Sequence, residues 1–401
     1  MKIGIIREGK VPPDSRVALT PQQCAHIKST FGIEVVAQRS EVRAYKDEEY
    51  ANAGIQLVDD VSDCDFLMGI KEVPVDMLIA NKRYSFFSHT IKKQAYNRKL
   101  LQAVLAKHIT LVDYAVLTDE KGRRLIAFGY YAGMVGAHNA LYTYSRRTGV
   151  FALKRLKDCF DYAEAKTSYE HINWPAIKIV LTGGGRVASG AVKVLEDMGI
   201  KKVSAADFLE KDFDHIVFTQ IDCDKYVQRK DGGEFSFPDF FGNPELYESI
   251  FAPYANTADV MINGIFWDNK APAFFTVDEM AQPEFNIKVI ADVTCDIAPV
   301  SSIPSTLRAS KISDPVFGFD PKNGKETAPH QDGVIDMMTI DNLPSEIPRD
   351  SSMAFGDMFI EHILPELLKE QSAVISRATI AHNGKLGEHF GYLEDYVNGV
   401  E

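Results

Sequence analysis

The chain is poor in cysteine, with five in 401 residues. They stand at positions 24, 64, 159, 223 and 295, and no two form a Cys-x-x-Cys pair. That scatter excludes a disulfide framework and a zinc ribbon and fits a reducing compartment. Basic residues are short as well: Lys and Arg total 44 against 56 Asp and Glu, a net charge of −12. Neither nucleic acid nor an anionic membrane is an expected partner of so acidic a chain. Low-complexity segments and internal repeats are missing. Long apolar runs are nearly so. Leu125 to Ser145 holds no Asp, Glu, Lys or Arg, but it carries His138, Asn139, Thr143 and four tyrosines. Although long enough to span a bilayer, it has glycines at 129, 133 and 136 spaced for close packing and reads as a buried helix between domains. The opening Met-Lys-Ile-Gly-Ile-Ile-Arg-Glu-Gly puts charges where a secretory segment must be apolar, so a cytoplasmic location is expected.

What is present is ordinary globular composition, 45% hydrophobic and 25% charged, in a chain long enough for two domains. Its organising stretch runs from Lys178 to Gly199. Ile179 to Leu181 read as a buried strand, three glycines follow Thr182, and Val187, Ala191, Val194 and Leu195 then repeat at helical spacing. Gly183, Gly185 and Ala188 take the three places of the Gly-x-Gly-x-x-Gly/Ala dinucleotide fingerprint: a tight turn, a close approach to pyrophosphate, and close helix–strand packing. A helix N-terminus there offers N–H groups and positive potential to phosphates. The next strand is read at Lys201 to Val203, followed by Ser204, with Asp207 already inside a helical turn. No carboxylate is then placed on the ribose 2′-hydroxyl, and the choice between NAD and NADP stays open.

The fold class expected is α/β, with two Rossmann-like domains of parallel sheets and a cleft between them. The first is read as residues 1–136 plus 350–401, carrying the substrate chemistry, and the second as residues 137–349, binding the dinucleotide. In the first, polar residues gather after strands, where open α/β sheets build their sites. Lys71 follows Phe66–Ile70, His89 follows Tyr84–Phe87, and Asp113 closes Ile109–Val112. Arg16 lies in the first loop, with Arg123 and Arg124 after the turn at Asp119. A lysine and a histidine can share proton transfer if burial lowers the lysine's pKa. Arginines would suit a substrate with several carboxylates. In the second domain Asp292, Asp296 and Asp341 follow strands; no His or Glu ligand spacing joins them, and no metal is expected.

At these residues the sequence resembles a family, the alanine dehydrogenase, transhydrogenase and saccharopine dehydrogenase superfamily. The likeness within it is to the lysine–ketoglutarate reductase half of aminoadipic semialdehyde synthase. It is carried by Arg16-Val-Ala-Leu-Thr-Pro21, Phe86-Phe-Ser-His-Thr-Ile-Lys-Lys-Gln94, Gly122-Arg-Arg-Leu-Ile-Ala-Phe-Gly129, Ile262-Asn-Gly-Ile-Phe-Trp267, Asp292-Val-Thr-Cys-Asp296 and Ile340-Asp-Asn-Leu-Pro344. The resemblance implies Lys71 and His89 as the acid–base pair. It implies Arg16, Gln94, Arg124, Phe128, Thr294 and Asp296 on the substrate. On a nicotinamide nucleotide it implies Gly183, Gly185, Arg186, Ala188, Arg123, Ile340, Asp341, Asn342 and Leu343. The implied chemistry is hydride transfer at a C–N bond, interconverting lysine plus 2-oxoglutarate and saccharopine. The cofactor would be NAD or NADP, the partner a small amino-acid substrate, with a homo-oligomer possible. One departure stands out: family members that handle saccharopine tend to have a glutamate where this chain has Ala115, so either the substrate differs or a nearby acid such as Glu72 or Asp119 substitutes. An alanine-type amino-acid dehydrogenase, and a catalytically impaired paralogue that binds nucleotide, are the alternatives.

Overall fold

The computed structural model describes residues 1–400, which divide into two compact units. One comprises Met1–Phe128 and the residues from Pro348 onward; the other is Gly129–Ile347. The first begins with β1 (Lys2–Ile5), β2 (Glu34–Gln38), β3 (Gln56–Val58), β4 (Phe66–Met68), β5 (Arg83–Phe86) and β6 (Thr110–Asp113). These six are parallel, in the order β6-β5-β4-β1-β2-β3. Their short runs of buried aliphatic and aromatic residues are what a sheet covered on both faces demands. Thr20 caps helix Pro21–Phe31 with a reciprocal Gln23 bond, and Gly32 at φ 64° ends it.

The helix predicted over Lys92 to Lys107 is shorter, Arg98–Ala106. His89 and Lys93 both sit at positive φ (54° and 53°), bracketing the 3₁₀ turn Thr90–Lys92. A left-handed residue cannot continue a right-handed helix, so the segment starts late.

The second unit contains β7 (Lys178–Thr182), β8 (Lys201–Lys202), β9 (Val217–Ile221), a small hairpin of β10 (Val227–Arg229) and β11 (Tyr247–Ser249), then β12 (Val260–Asn263), β13 (Val289–Asp292), β14 (Val316–Asp320), β15 (Lys325–Thr327) and β16 (Ile335–Met338). Its main sheet runs β15-β14-β16-β13-β12-β7-β9-β8. The six strands from β16 to β8 are parallel, while β14 and β15 are antiparallel. The hairpin and helix Phe237–Gly242 give order to the Pro-, Phe- and Gly-rich stretch Phe235–Tyr254.

The helix Gly129–Thr148, free of charge until Arg146 and Arg147 in its last turn, counts with this unit and packs on helix Arg186–Asp197. A Cβ on Gly133 would lie 1.7 Å from the Val187 carbonyl oxygen, and one on Gly190 would lie 1.8 Å from that of Tyr130. The two backbones meet where any side chain would hold them apart. No helix is long and apolar enough to cross a membrane among the described residues.

The chain then returns to the first unit. Beyond helix Pro348–Met358, β17 (Thr379–His382) adds antiparallel to β6, and β18 (Lys385–Leu386) adds to β17.

Candidate functional site

In the first unit β1, β4, β5 and β6 are neighbours, so the residues after each share one edge of the sheet. Pairing continues past the strand ends: Gly69 N–H donates to the Ser85 carbonyl and Phe87 N–H to that of Ile70, both at 3.0 Å. Lys71 and His89 therefore emerge on adjacent strands, both half-buried. Asp113 holds this edge together. It is fully buried and accepts the Ser88 N–H at 2.9 Å, the Ser88 hydroxyl, and the Ala115 N–H at 2.7 Å.

Glu72 is the hub of the charge network. One carboxylate oxygen meets His89 Nδ1 at 2.7 Å, and the other accepts from Lys10 Nζ at 2.7 Å. Burial would raise its pKa, but the bonds from His89 and Lys10 win and hold it well below the usual carboxylate range. Glu8, just after β1, goes the other way. Its two oxygens accept the N–H groups of Ile70 (2.6 Å) and Lys71 (2.9 Å), yet desolvation pushes it up to about 8. Lys71 is shifted downward, first by burial and then by the Arg16 charge, against the pull of Asp14 and Glu72. One site thus holds an ionised carboxylate, a carboxyl pushed toward neutrality, and a lysine pushed toward its free-base form. Such divergent environments are how proton donors and acceptors are set apart near neutral pH.

Arg16 lies nearly buried against Asp14, with Nε–Oδ1 3.0 Å and Nη2–Oδ2 2.7 Å, and its guanidinium sits 4.3 Å from the centre of the Phe128 ring. Phe128 stacks on Phe355, and Phe87 contacts Phe128, Phe355 and the His89 ring. Arg16, Phe128, Lys71 and His89 are therefore brought together. Gln94 stands further out, exposed, its side-chain oxygen accepting from Tyr96 and its carbonyl from Tyr396. Arg123 and Arg124 lie exposed in the Thr118–Arg124 bridge. There Asp119 takes the N–H groups of Lys121 and Arg123 and pairs with the Arg123 guanidinium at 2.8 Å. Asp119 is thus committed to its own turn. Glu72, and not Asp119, is the acid within the charge network.

In the second unit the glycine turn joins β7 to helix Arg186–Asp197. Gly183 has φ +103°, a conformation favouring glycine, and a Cβ there would lie 2.7 Å from the Gly264 carbonyl oxygen. Gly185 is the N-cap with no side-chain capping bond, and a Cβ on it would meet nothing within 4 Å. Ala188 is fully buried, as a helix lying close on its strand requires. This is a cradle the protein leaves to something else: a helix N-terminus with uncapped N–H groups and room in front of it. Arg186 is exposed at its rim.

Parallel strands bring the other predicted positions to the same edge. After β13, Thr294 donates twice to Asp292, with its hydroxyl at 2.6 Å. Asp292 also accepts from Asn263 (3.0 Å) and Thr306 (2.6 Å). It is a buried strut. Asp296 is half-buried two residues on. After β16, Ile340 and Leu343 are buried and Asp341 is exposed, with Asn342 leading into the turn Leu343–Glu346. Glu346 anchors that turn through Asn139 (2.9 Å) and Arg155.

Sequence reading missed Glu8, Lys10, Asp14 and Asp222. The first three lie in one irregular loop after β1, where no periodicity marks a side chain as inward. Asp222 follows directly on β9, whose place beside β7 only the sheet order reveals.

Residues 4–135 match the family model of the alanine dehydrogenase/PNT N-terminal domain. That match falls almost entirely in the first unit. Among curated proteins the chain is 28% identical to the alpha-aminoadipic semialdehyde synthase of Arabidopsis thaliana over 98% of its own length and 41% of that protein's. It is 29% identical to a saccharopine dehydrogenase (NAD+, L-lysine-forming) of Emericella nidulans, over 96% of this chain and 97% of that one. The chain thus spans less than half the length of the synthases it matches. Among solved structures it is similar to an L-alanine dehydrogenase (TM-score 0.67, 14% identity, all of both chains) and to a transhydrogenase from Sinorhizobium meliloti (TM-score 0.59, 12% identity, 96% of this chain and all of that one). These structural likenesses speak for the fold: two α/β units with mostly parallel eight-stranded sheets.

Proposed function

We propose that the protein is a nicotinamide-dependent oxidoreductase acting on a C–N bond, interconverting lysine plus 2-oxoglutarate with saccharopine. The observation that carries the reading is the Lys71–Glu72–His89 strand-end cluster, in a chain similar over nearly its whole length to proteins named for that chemistry. NAD or NADP, when bound at the glycine turn, supplies or accepts the hydride. Gly183, Gly185, Arg186 and Ala188 would hold its pyrophosphate, with Arg123 and the Ile340–Leu343 turn elsewhere on it.

Lysine's terminal amine and the keto carbon of 2-oxoglutarate condense with loss of water, and the imine carbon then receives the hydride. Each stage needs a proton moved at nitrogen or at the carbinol oxygen. Lys71, its pKa lowered, is suited to accept such protons, and His89, held by Glu72, to relay them. Arg16, with Gln94, Arg124, Phe128, Thr294 and Asp296, would orient a substrate bearing several carboxylates. The alternative of an alanine-type dehydrogenase draws on a structural likeness that speaks only for the fold. The impaired-paralogue alternative draws on Ala115 alone. Initial rates with lysine plus 2-oxoglutarate, with saccharopine, and with alanine, each with both nucleotides, test the proposal. Turnover confined to alanine would overturn the substrate, and nucleotide binding without turnover would overturn the enzyme.

A further inference from the structure

The sequence reading looked for the ribose-binding carboxylate after β8 and found Ser204. In the structure Ser204 caps its own helix, accepting the Asp207 N–H at 3.0 Å, and β8 is the outermost strand. The strand beside β7 is β9, paired with it from Lys178↔Val217 to Thr182↔Ile221. The position next to the glycine turn therefore belongs to the residue after β9. That residue is Asp222. A Cβ on Gly184 would lie 2.6 Å from Asp222 Oδ2, while Oδ1 accepts the Cys223 N–H at 2.8 Å. The carboxylate is half-buried and fixed by its own backbone, with Oδ2 at the glycine turn. An acid at this place accepts from the two hydroxyls of an adenosine ribose, and it repels a 2′-phosphate.

A second observation falls on the same spot. A cavity of about 280 Å³ is lined by Tyr226, Phe240, Phe241, Ile265, Phe266 and Trp267 among others. Tyr226 is four residues past Asp222. The Ile265 N–H nitrogen would lie 3.2 Å from a Cβ on Gly183, so the cavity wall and the glycine turn touch. Phe266 is 97% exposed. A large apolar ring left in water beside a flat aromatic pocket is a surface for a stacking partner. The nearby lysines are engaged: Lys202 with Gln220 at 2.7 Å and Lys225 with Asp224 at 3.1 Å.

Resting on the dinucleotide reading above, we propose that Asp222 selects the ribose and that Tyr226, Phe266 and Trp267 take the adenine, making the protein selective for NAD over NADP. The test titrates NADH and NADPH into wild-type protein and into Asp222→Asn, Asp222→Ser and Phe266→Ala, following nicotinamide fluorescence. Asn keeps an oxygen for the Cys223 N–H, so the loop retains its cap. Wild type should bind NADH at least about tenfold more tightly than NADPH, and both Asp222 variants should erase at least about tenfold of that preference. Phe266→Ala should weaken both nucleotides alike. Equal or tighter NADPH binding by wild type, or an unchanged ratio in Asp222→Asn, overturns the assignment while the dinucleotide site stands. Failure of wild type to bind either nucleotide overturns both.

Discussion

The two units place polar chemistry at corresponding strand ends by opposite means. The first unit crowds charges: Glu8, Lys10, Asp14, Arg16, Lys71, Glu72 and His89 all stand after three neighbouring strands, and burial and pairing push the pKa of Glu8 up and those of Lys71 and Glu72 down. The second unit relies on backbone instead. Its edge is a glycine turn, uncapped backbone N–H groups, a buried strut at Asp292 and an aromatic cavity, with Asp222 beside the turn. Side chains that titrate suit proton transfer, whereas backbone that cannot titrate suits a phosphate-bearing ligand that must be held identically at every pH. The comparison assigns one kind of chemistry to each unit and says which variants leave the other unit's task untouched.

The largest expected effect lies in the first unit. Lys71→Met and His89→Gln should each lower kcat by roughly 10²- to 10⁴-fold, the usual worth of a positioned acid or base. Nucleotide affinity, measured by fluorescence titration, should stay as in wild type. Parallel loss of binding and rate would break the division between the units. The mirror variant is Gly185→Val. Because a Cβ at 185 meets no protein atom, the fold should survive with an unchanged melting temperature, while nucleotide affinity falls by roughly 100-fold or more. Unaltered affinity would remove the glycine turn from the site.

Smaller effects come from the two carboxyl groups with opposite shifts. Glu8 has a folded-state pKa of about 8 against an ordinary 4.5. Between those values the folded chain keeps a proton that the unfolded chain has lost, so stability falls as pH rises. Glu8→Gln should flatten that slope, by on the order of 1–4 kcal/mol between pH 5 and 8 in urea unfolding. Glu72 is depressed instead. Its contribution is present above pH 4.5 and is lost as pH falls through the folded-state value, so Glu72→Gln should flatten the acid limb of the same curves. Superimposable profiles for wild type and both variants would mean that the site does not polarise its carboxyls.

How much of this was legible beforehand follows the same division. The glycine turn was readable because a period-two run, three glycines and a helical repeat are local signals, and β7 through Asp197 lies where that pattern puts it. Lys71 and His89 were readable as strand-end polar residues. Strand order was not. Nothing in Lys201 to Ile221 announces that the third strand of the second unit inserts beside its first, so the sequence points to Ser204 and not to Asp222. The loop partners of Lys71 and Glu72 were equally hidden, because Glu8 and Lys10 arrive from a loop more than sixty residues earlier in the chain. Their pairing exists only once β1 lies against β4.

Transfer of hydride to the carbon of a C–N double bond is open to a direct labelling experiment. Lysine and 2-oxoglutarate would be incubated with the protein and nicotinamide cofactor deuterated at C4 on the transferred face, and the products read by mass spectrometry. Singly deuterated saccharopine, with label on the carbon bonded to both nitrogen and carboxylate, is the predicted result. Deuterated 2-hydroxyglutarate, or no labelled product while the nucleotide remains bound, would contradict it.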